Sequence, residues 1–282
     1  MQTENLVEQG SGIGSKERFE FGKNWAQFLR HFSEERLQAA ERSLREMLGL
    51  ETLEGKSFLD VGSGSGLFSL AARRLGARVV SFDYDPESVH CALQLKRAFF
   101  AECDDWRIEQ GSALDKNYLE TLRAFDVVYS WGVLHHTGAM WAALENMLPL
   151  VKPGGKLVIS IYNDQGAISR MWRLVKRTYN RLPKSLRFMV VWPIGSAVIL
   201  GATLKDICRL RKPRVLSNSV DGVGRGMELW TDVIDWVGGY PFEVASREAI
   251  TGFYVQRGFC LDRLISCGRK LGCNQYVFTK GD

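Results

Sequence analysis

Three glycines stand on alternate positions in Asp60-Val61-Gly62-Ser63-Gly64-Ser65-Gly66, a segment that follows a short apolar run and leads directly into a helical pattern. Glycine has no Cβ, so a ligand can approach the backbone closely. The N-terminus of the next helix offers unpaired N–H groups to a polar or negatively charged group. Asp83 lies 21 positions beyond Gly62, at the end of the next apolar run. A carboxylate so placed can accept hydrogen bonds from both hydroxyls of a ribose. Turn and carboxylate together point to a nucleoside ligand rather than to an ordinary glycine-rich turn. A dinucleotide fingerprint, G-x-G-x-x-G, would need glycine at position 67, which is Leu67. The second chemical feature is His135-His136, which holds two of the four histidines. An imidazole titrates near pH ~6.5 and suits removal of a proton from a phenol or similar hydroxyl. The alternative for either ring is packing against a ligand or bonding backbone.

Alternating strands and helices must position these groups. Ser57 to Val61 reads as a first strand, Leu67 to Leu75 as a helix ended by Gly76, and Arg78 to Tyr84 as the strand that delivers Asp83. Pro86 opens a helix to about Phe100. Trp106 to Gly111 is a third strand, Tyr118 to Arg123 a short helix, and Phe125 to Trp131 a buried strand leading to the histidines. A helix from Trp141 to Val151 and the turn Pro153-Gly154-Gly155 precede a strand from Lys156 to Tyr162. After a long interruption come a helix from Arg247 to Arg257 and the strands Phe259 to Ser266 and Gln275 to Lys280, which can pair as an antiparallel hairpin. Such alternation implies an α/β fold, a mostly parallel doubly wound sheet with right-handed crossovers. The chain divides into a flexible tail (1–16), an N-terminal helical cap (17–50), a core (51–162), an insertion or lid (163–245) and a C-terminal return to the sheet (246–282).

The turn and its acidic partner resemble the class I, Rossmann-like, S-adenosylmethionine-dependent methyltransferases, whose hallmark is D-x-G-x-G-x-G followed by an acidic residue closing the second strand. Gln110-Gly111-Ser112-Ala113-Leu114, Phe125-Asp126-Val127-Val128 and Leu150-Val151-Lys152-Pro153-Gly154-Gly155 are similar to further segments of that family. The resemblance implies a seven-stranded sheet with an antiparallel last strand, and the cofactor across the carboxyl ends of strands one to four. It implies that Gly62, Gly64 and Gly66 face the methionine part of the cofactor and that Asp83 faces the ribose. Asp60 would orient the turn or the amino group through a water, Tyr84 would flank the adenine, and Ser112 with Ala113 would meet its edge. Ser63 and Trp131 complete the expected cofactor set. His135 and His136 fall where the family places its substrate, which makes them the candidate bases. The region is similar to the ubiquinone-type O-methyltransferases, some of which carry metal-holding carboxylates here. Gly132 and His135 stand in those places, so no metal is expected.

Substrate choice is expected in the insertion. Between Arg170 and Arg214 there are twelve basic residues against the single acid Asp206, and within this stretch Phe188 to Leu204 is a 17-residue run without a charge, broken by Pro193, Gly195 and Gly201. A spanning helix needs about 20 apolar residues. A helical lid, a basic hairpin with solvated charges, or a surface segment dipping into anionic lipid fits better. Glycines around Arg225 would permit a hinge, and Trp230, Tyr240, Phe242 and Glu243 mix flat apolar surface with polar groups. Tyr162, Arg225, Trp230 and Tyr240, with Phe21 and Trp25 of the cap, form the candidate acceptor pocket.

A composition of 45% hydrophobic and 24% charged residues suits a globular chain, and a net charge of +5 only mildly favours anionic partners. The six cysteines show no zinc-site spacing and the first residues no secretory pattern, so a cytoplasmic location is expected, with peripheral contact at the inner membrane surface. A small organic acceptor with an oxygen nucleophile is the leading expectation. RNA, including tRNA, methylation and a non-catalytic lipid- or partner-binding role are the alternatives, although nothing resembles a nucleic-acid-binding module.

Overall fold

The computed structural model describes residues 32–102, 104–208, 229–268 and 272–282. The tail, the first part of the expected cap (17–31) with Phe21 and Trp25, and the segment holding Arg225 lie outside them, as does the side chain of Trp230. Seven strands form one sheet, ordered β3-β2-β1-β4-β5-β7-β6: β1 (Ser57–Val61), β2 (Arg78–Asp83), β3 (Trp106–Gln110), β4 (Phe125–Trp131), β5 (Val151–Tyr162), β6 (Phe259–Ile265) and β7 (Cys273–Lys280). The first five pair in parallel, whereas β7 runs antiparallel to both β5 and β6.

Helices cover both faces, as the apolar strands require. The N-terminal cap contributes α1 (Glu34–Leu48), opened by Ser33, whose hydroxyl accepts the Arg36 N–H, and closed by left-handed Gly49. It buries Leu37, Leu44 and Leu48 against α2 (Leu67–Arg74) and the face carrying Phe58 and Tyr129. Asp85 caps α3 (Pro86–Phe99) with proline in its first turn. The opposite face holds Leu59, Phe82, Val128 and Ile159 beneath α5 (Met140–Asn146) and α9 (Arg247–Val255).

Three boundaries differ from the sequence pattern for local reasons. The short helix α4 spans Lys116–Glu120, because the Asp115 carboxylate accepts the Tyr118 N–H and starts the helix earlier. Pro149 ends α5 in a separate 3₁₀ turn, Leu148–Leu150. Strand β5 begins at Val151, which pairs with Phe125 before a register shift.

The insertion supplies α6 (Ala167–Arg181), α7 (Phe188–Cys208) and α8 (Leu229–Gly238). The sequence suggested an apolar run interrupted at Pro193, Gly195 and Gly201, yet α7 continues through all three. Pro193 lies in the second turn and removes one backbone hydrogen bond there, without ending the helix. Tyr179, Val191, Val233 and Val237 make a small separate core among α6, α7 and α8.

At the amino ends of the strands, Asp126 of β4 accepts the Ser57 N–H at 2.8 Å and the Lys152 Nζ at 2.8 Å, joining β1, β4 and β5. Partial burial alone would raise its pKa, but the Lys152 ammonium and the Ser57 donors more than offset this and lower it to about 2. Its stabilising effect is therefore present above about pH 3.8 and is lost as pH falls toward 2. Asp126→Asn is expected to cost about 1–2 kcal/mol at neutral pH, and urea unfolding should show the gap to wild type closing between pH 4 and 2.

Candidate active site

The carboxyl ends of β1, β2 and β4 converge on the glycine turn. Gly62, Gly64 and Gly66 adopt φ of 74°, 54° and 81°, the left-handed region that glycine enters without strain. The Gly62 and Ser63 N–H groups donate to the Phe82 carbonyl, so the turn is built on the end of β2. Asp83 accepts the Gly64 N–H at 2.9 Å with one oxygen and the Asp85 N–H at 2.9 Å with the other. Asp60 is buried beneath the turn and accepts the Ser69 hydroxyl at 2.6 Å. A Cβ on Gly62 would overlap both γ-carbons of Val133, in the loop after β4.

Burial raises both carboxyls, Asp60 to about 7 and Asp83 to about 6, and their mutual repulsion adds to the Asp60 shift. Each stabilises the ligand-free fold most when protonated. That contribution is complete below about pH 3.8 and is lost as pH rises through about 6 for Asp83 and about 7 for Asp60. A ligand hydroxyl that must donate to Asp83 favours the opposite, ionised state.

The loop after β4 brings the two histidines to the end of β5. The His135 ring lies 4.4 Å from that of His136 and 4.2 Å from that of Tyr162, which also packs on Phe242 at 5.0 Å. His135 is buried, its ring bonds the Ser160 backbone, and its Nδ1 has no hydrogen-bond partner. Burial first, then His136 and Lys176, holds its pKa well below the usual imidazole range. His136 is half-buried, and its Nδ1 lies 2.6 Å from the Pro241 carbonyl. A carbonyl only accepts, so Nδ1 carries the proton and Nε2 keeps the lone pair.

Residues 241–245 form a strap across this loop. The Glu243 N–H donates to the His135 carbonyl, its carboxylate accepts the Met140 N–H at the start of α5, and the Ala245 N–H donates to the Tyr162 carbonyl. Arg173 of α6 donates to the Phe242 carbonyl at 3.2 Å. Lys176, also on α6, is fully buried, donates to the Trp236 carbonyl and lies over the Phe242, Trp236 and Tyr162 rings at 4.9, 5.7 and 5.8 Å. Asn180, one turn on, donates to the Gly238 carbonyl. The two side chains therefore cap the last carbonyls of α8, where a cation is favoured.

The expected residues sort themselves accordingly. Gly62, Ser63, Gly64 and Gly66 form one turn, which lies over Asp60 of β1 and is bonded by Asp83 of β2, with the buried Ser63 hydroxyl lacking a partner. Tyr84 is exposed beside it. The Ser112 hydroxyl accepts the Leu114 N–H, and Ala113 is buried at the end of the next strand. Trp131 stacks on Tyr129 at the end of β4. Tyr162 joins the histidines, and Tyr240 precedes the strap. Lys176, Arg173 and the Pro241 carbonyl were not singled out by their sequence. Lys176 sat unmarked in a basic stretch, and the available signal was its i, i+4 spacing with Asn180 on a helix whose apolar residues lie elsewhere. Among the described residues, no group of three or more histidine, cysteine or carboxylate side chains could hold a metal ion.

A model of the methyltransferase domain family matches residues 29–188. The chain belongs to that family. Ubiquinone biosynthesis O-methyltransferases of Xanthomonas oryzae pv. oryzae and Xanthomonas campestris pv. campestris are each 35% identical to it over 111 residues, 39% of this chain and 45% of theirs. The chain thus matches less than half the length of these relatives. Magnesium protoporphyrin IX methyltransferase from Synechocystis PCC 6803, solved with bound S-adenosylhomocysteine, superposes with a TM-score of 0.51 at 16% identity, covering 87% of this chain and 83% of that one. A putative S-adenosylmethionine-dependent methyltransferase from Listeria monocytogenes gives 0.51 at 13% identity, covering 87% and 99%. At these identities the likeness concerns the fold, and it agrees with the class I strand order seen in this methyltransferase-family chain.

Two terms act on Gly62 in this family member: its positive φ and its contact with Val133. Gly62→Ala should destabilise by about 2–4 kcal/mol, the sum of backbone strain and overpacking. Adding Val133→Ala should restore the steric part only, giving a measurable coupling in a double-mutant cycle of thermal unfolding.

Proposed function

We propose that this methyltransferase-family protein moves a methyl group from S-adenosylmethionine to an oxygen nucleophile on a small organic acceptor, with His136 as the proton acceptor. The carrying observation is the 2.6 Å approach of His136 Nδ1 to the Pro241 carbonyl, which in the neutral ring directs the proton to Nδ1 and leaves Nε2 as the acceptor nitrogen.

The turn fits the cofactor on its own chemistry. Asp83 presents a carboxylate whose oxygens each accept one backbone donor and have capacity for a ribose hydroxyl. The Ser63 hydroxyl beside it is buried and unmatched, a polar atom that a bound nucleoside can satisfy. The cofactor supplies a methyl group on an electrophilic sulfonium. The protein's task is then positioning and proton removal. His136 Nε2 would take the hydroxyl proton of the acceptor as its oxygen receives the methyl group from sulfur. His135, neutral and buried, packs against the His136 ring, and the strap holds the loop at His135 and Met140. The aromatic surface of Tyr162 and Phe242 suits a flat acceptor. The oxygen O-methyltransferase relatives support this choice of nucleophile.

Binding should show the protonation state of Asp83. Titration calorimetry with S-adenosylhomocysteine is expected to give affinity that falls roughly tenfold per pH unit below about pH 6, because only the ionised carboxyl accepts both ribose hydroxyls. Asp83→Asn should weaken binding and flatten that profile, and absence of binding by the wild type would remove the cofactor assignment.

Transfer of labelled methyl groups to a panel of phenols, amines and thiols tests the acceptor. Phenols should be labelled, and His136→Ala should lower kcat by about 10²–10⁴ with cofactor affinity unchanged. Labelling of amines alone, or full activity without His136, would overturn the oxygen acceptor and the base respectively.

A further inference from the structure

Helix α6 buries Tyr179 together with the polar Ser169, Lys176 and Asn180, and exposes Ile168, Met171 and Leu174 at 48%, 52% and 65%. Residues three apart lie on one side of a helix, so these three make a continuous apolar stripe. Arg170, Arg177 and Arg181 are exposed and form a parallel stripe between the apolar and the buried sides. Helix α7, which packs on α8 as α6 does, also exposes Met189 at 61%, Trp192 at 63% and Leu200 at 60%, while Val191, with Val190 and Ile194 beside it, enters the small core. From Arg170 to Leu204 there are seven basic residues and no acidic one.

From this surface we infer that α6 and α7 dock on an anionic lipid bilayer, lying in its interfacial plane. Ordinary solvated faces seldom gather several large exposed apolar side chains beside arginines with no acid among them. The same arrangement suits the boundary between acyl chains and headgroups, with apolar side chains inward, arginines toward phosphates and a tryptophan at headgroup depth. The charge selects an anionic surface over a neutral one. By length and composition, the segment Lys184–Gly201 could cross a membrane, with 12% of it buried. Crossing conflicts with the packing of Val191 against Val233 and Val237, and with Lys184 and Arg187 inside that window. The opposite side of α6 carries Lys176 against Tyr162, so the docked surface and the aromatic box lie on two faces of one helix.

Flotation of the full chain with phosphatidylcholine vesicles, with and without phosphatidylglycerol, tests this. Flotation is expected only with phosphatidylglycerol and should weaken as salt rises. Arg170→Gln with Arg177→Gln should reduce partitioning about 25-fold, on the order of fivefold per charge. Met171→Glu with Leu174→Glu and Met189→Glu should abolish it, while circular dichroism and S-adenosylhomocysteine affinity stay at wild-type values. No flotation at low salt, or equal flotation on neutral vesicles, overturns the inference. So does retention in vesicles through alkaline carbonate, which indicates spanning. Self-association in vesicle-free solution that the same triple variant removes, with flotation unchanged, would assign the surface to a second copy of the chain. Loss of cofactor binding by the wild type would leave this result untouched, because the docking surface shares no residue with the glycine turn.

Discussion

The contact between Gly62 and Val133 sets the distance between the two halves of the site. Gly62 lies in the turn that closes β1, and Val133 in the loop that leaves β4, the neighbouring strand. With no room for a methyl group between them, the nucleoside turn and the histidine loop form one packed unit. The left-handed backbone at Gly62 makes that approach sterically accessible, and the Phe82 carbonyl holds it through two N–H donors. Residues 62–66 then lie on one side of this contact and the histidine loop on the other.

The insertion completes that unit. Its last segment bonds the His135 carbonyl, the His136 ring, the start of α5 and the end of β5, four places that no regular secondary structure would join. Lys176 shows how such a charge can be buried: its ammonium meets the carbonyl end of α8 and three ring faces instead of water. Burial of His135 and the neighbouring cation both disfavour an imidazolium there. The segment that would select the acceptor is thereby part of the electrostatic setting of the histidines.

The strands β1, β2 and β4 were legible because each is a largely apolar run followed closely by glycine or a capping carboxylate, and the turn at Gly62–Gly66 has a composition with few other uses. Asp83 was legible for the same reason, since its position follows from strand geometry. Lys176 and Pro241 were not, because their roles depend on partners 60 and 105 residues away, which no local pattern records. The run through Pro193 reads as broken in the sequence, yet the helix continues there with one backbone hydrogen bond fewer. The inverted face of α6 had a visible period, but its sense, polar inward and apolar outward, emerged only with the neighbours in place.

The pairing of β5 with β7 bears on how the chain is made. Leu157 meets Phe278 and Ile159 meets Tyr276, so the middle of the sheet waits for residues synthesised more than a hundred positions later. Until they leave the ribosome, β5 is an unpaired apolar edge, the feature most prone to pair with a stranger. Closure of this seam therefore comes late in synthesis, once Cys273–Lys280 is available to cover the edge of β5.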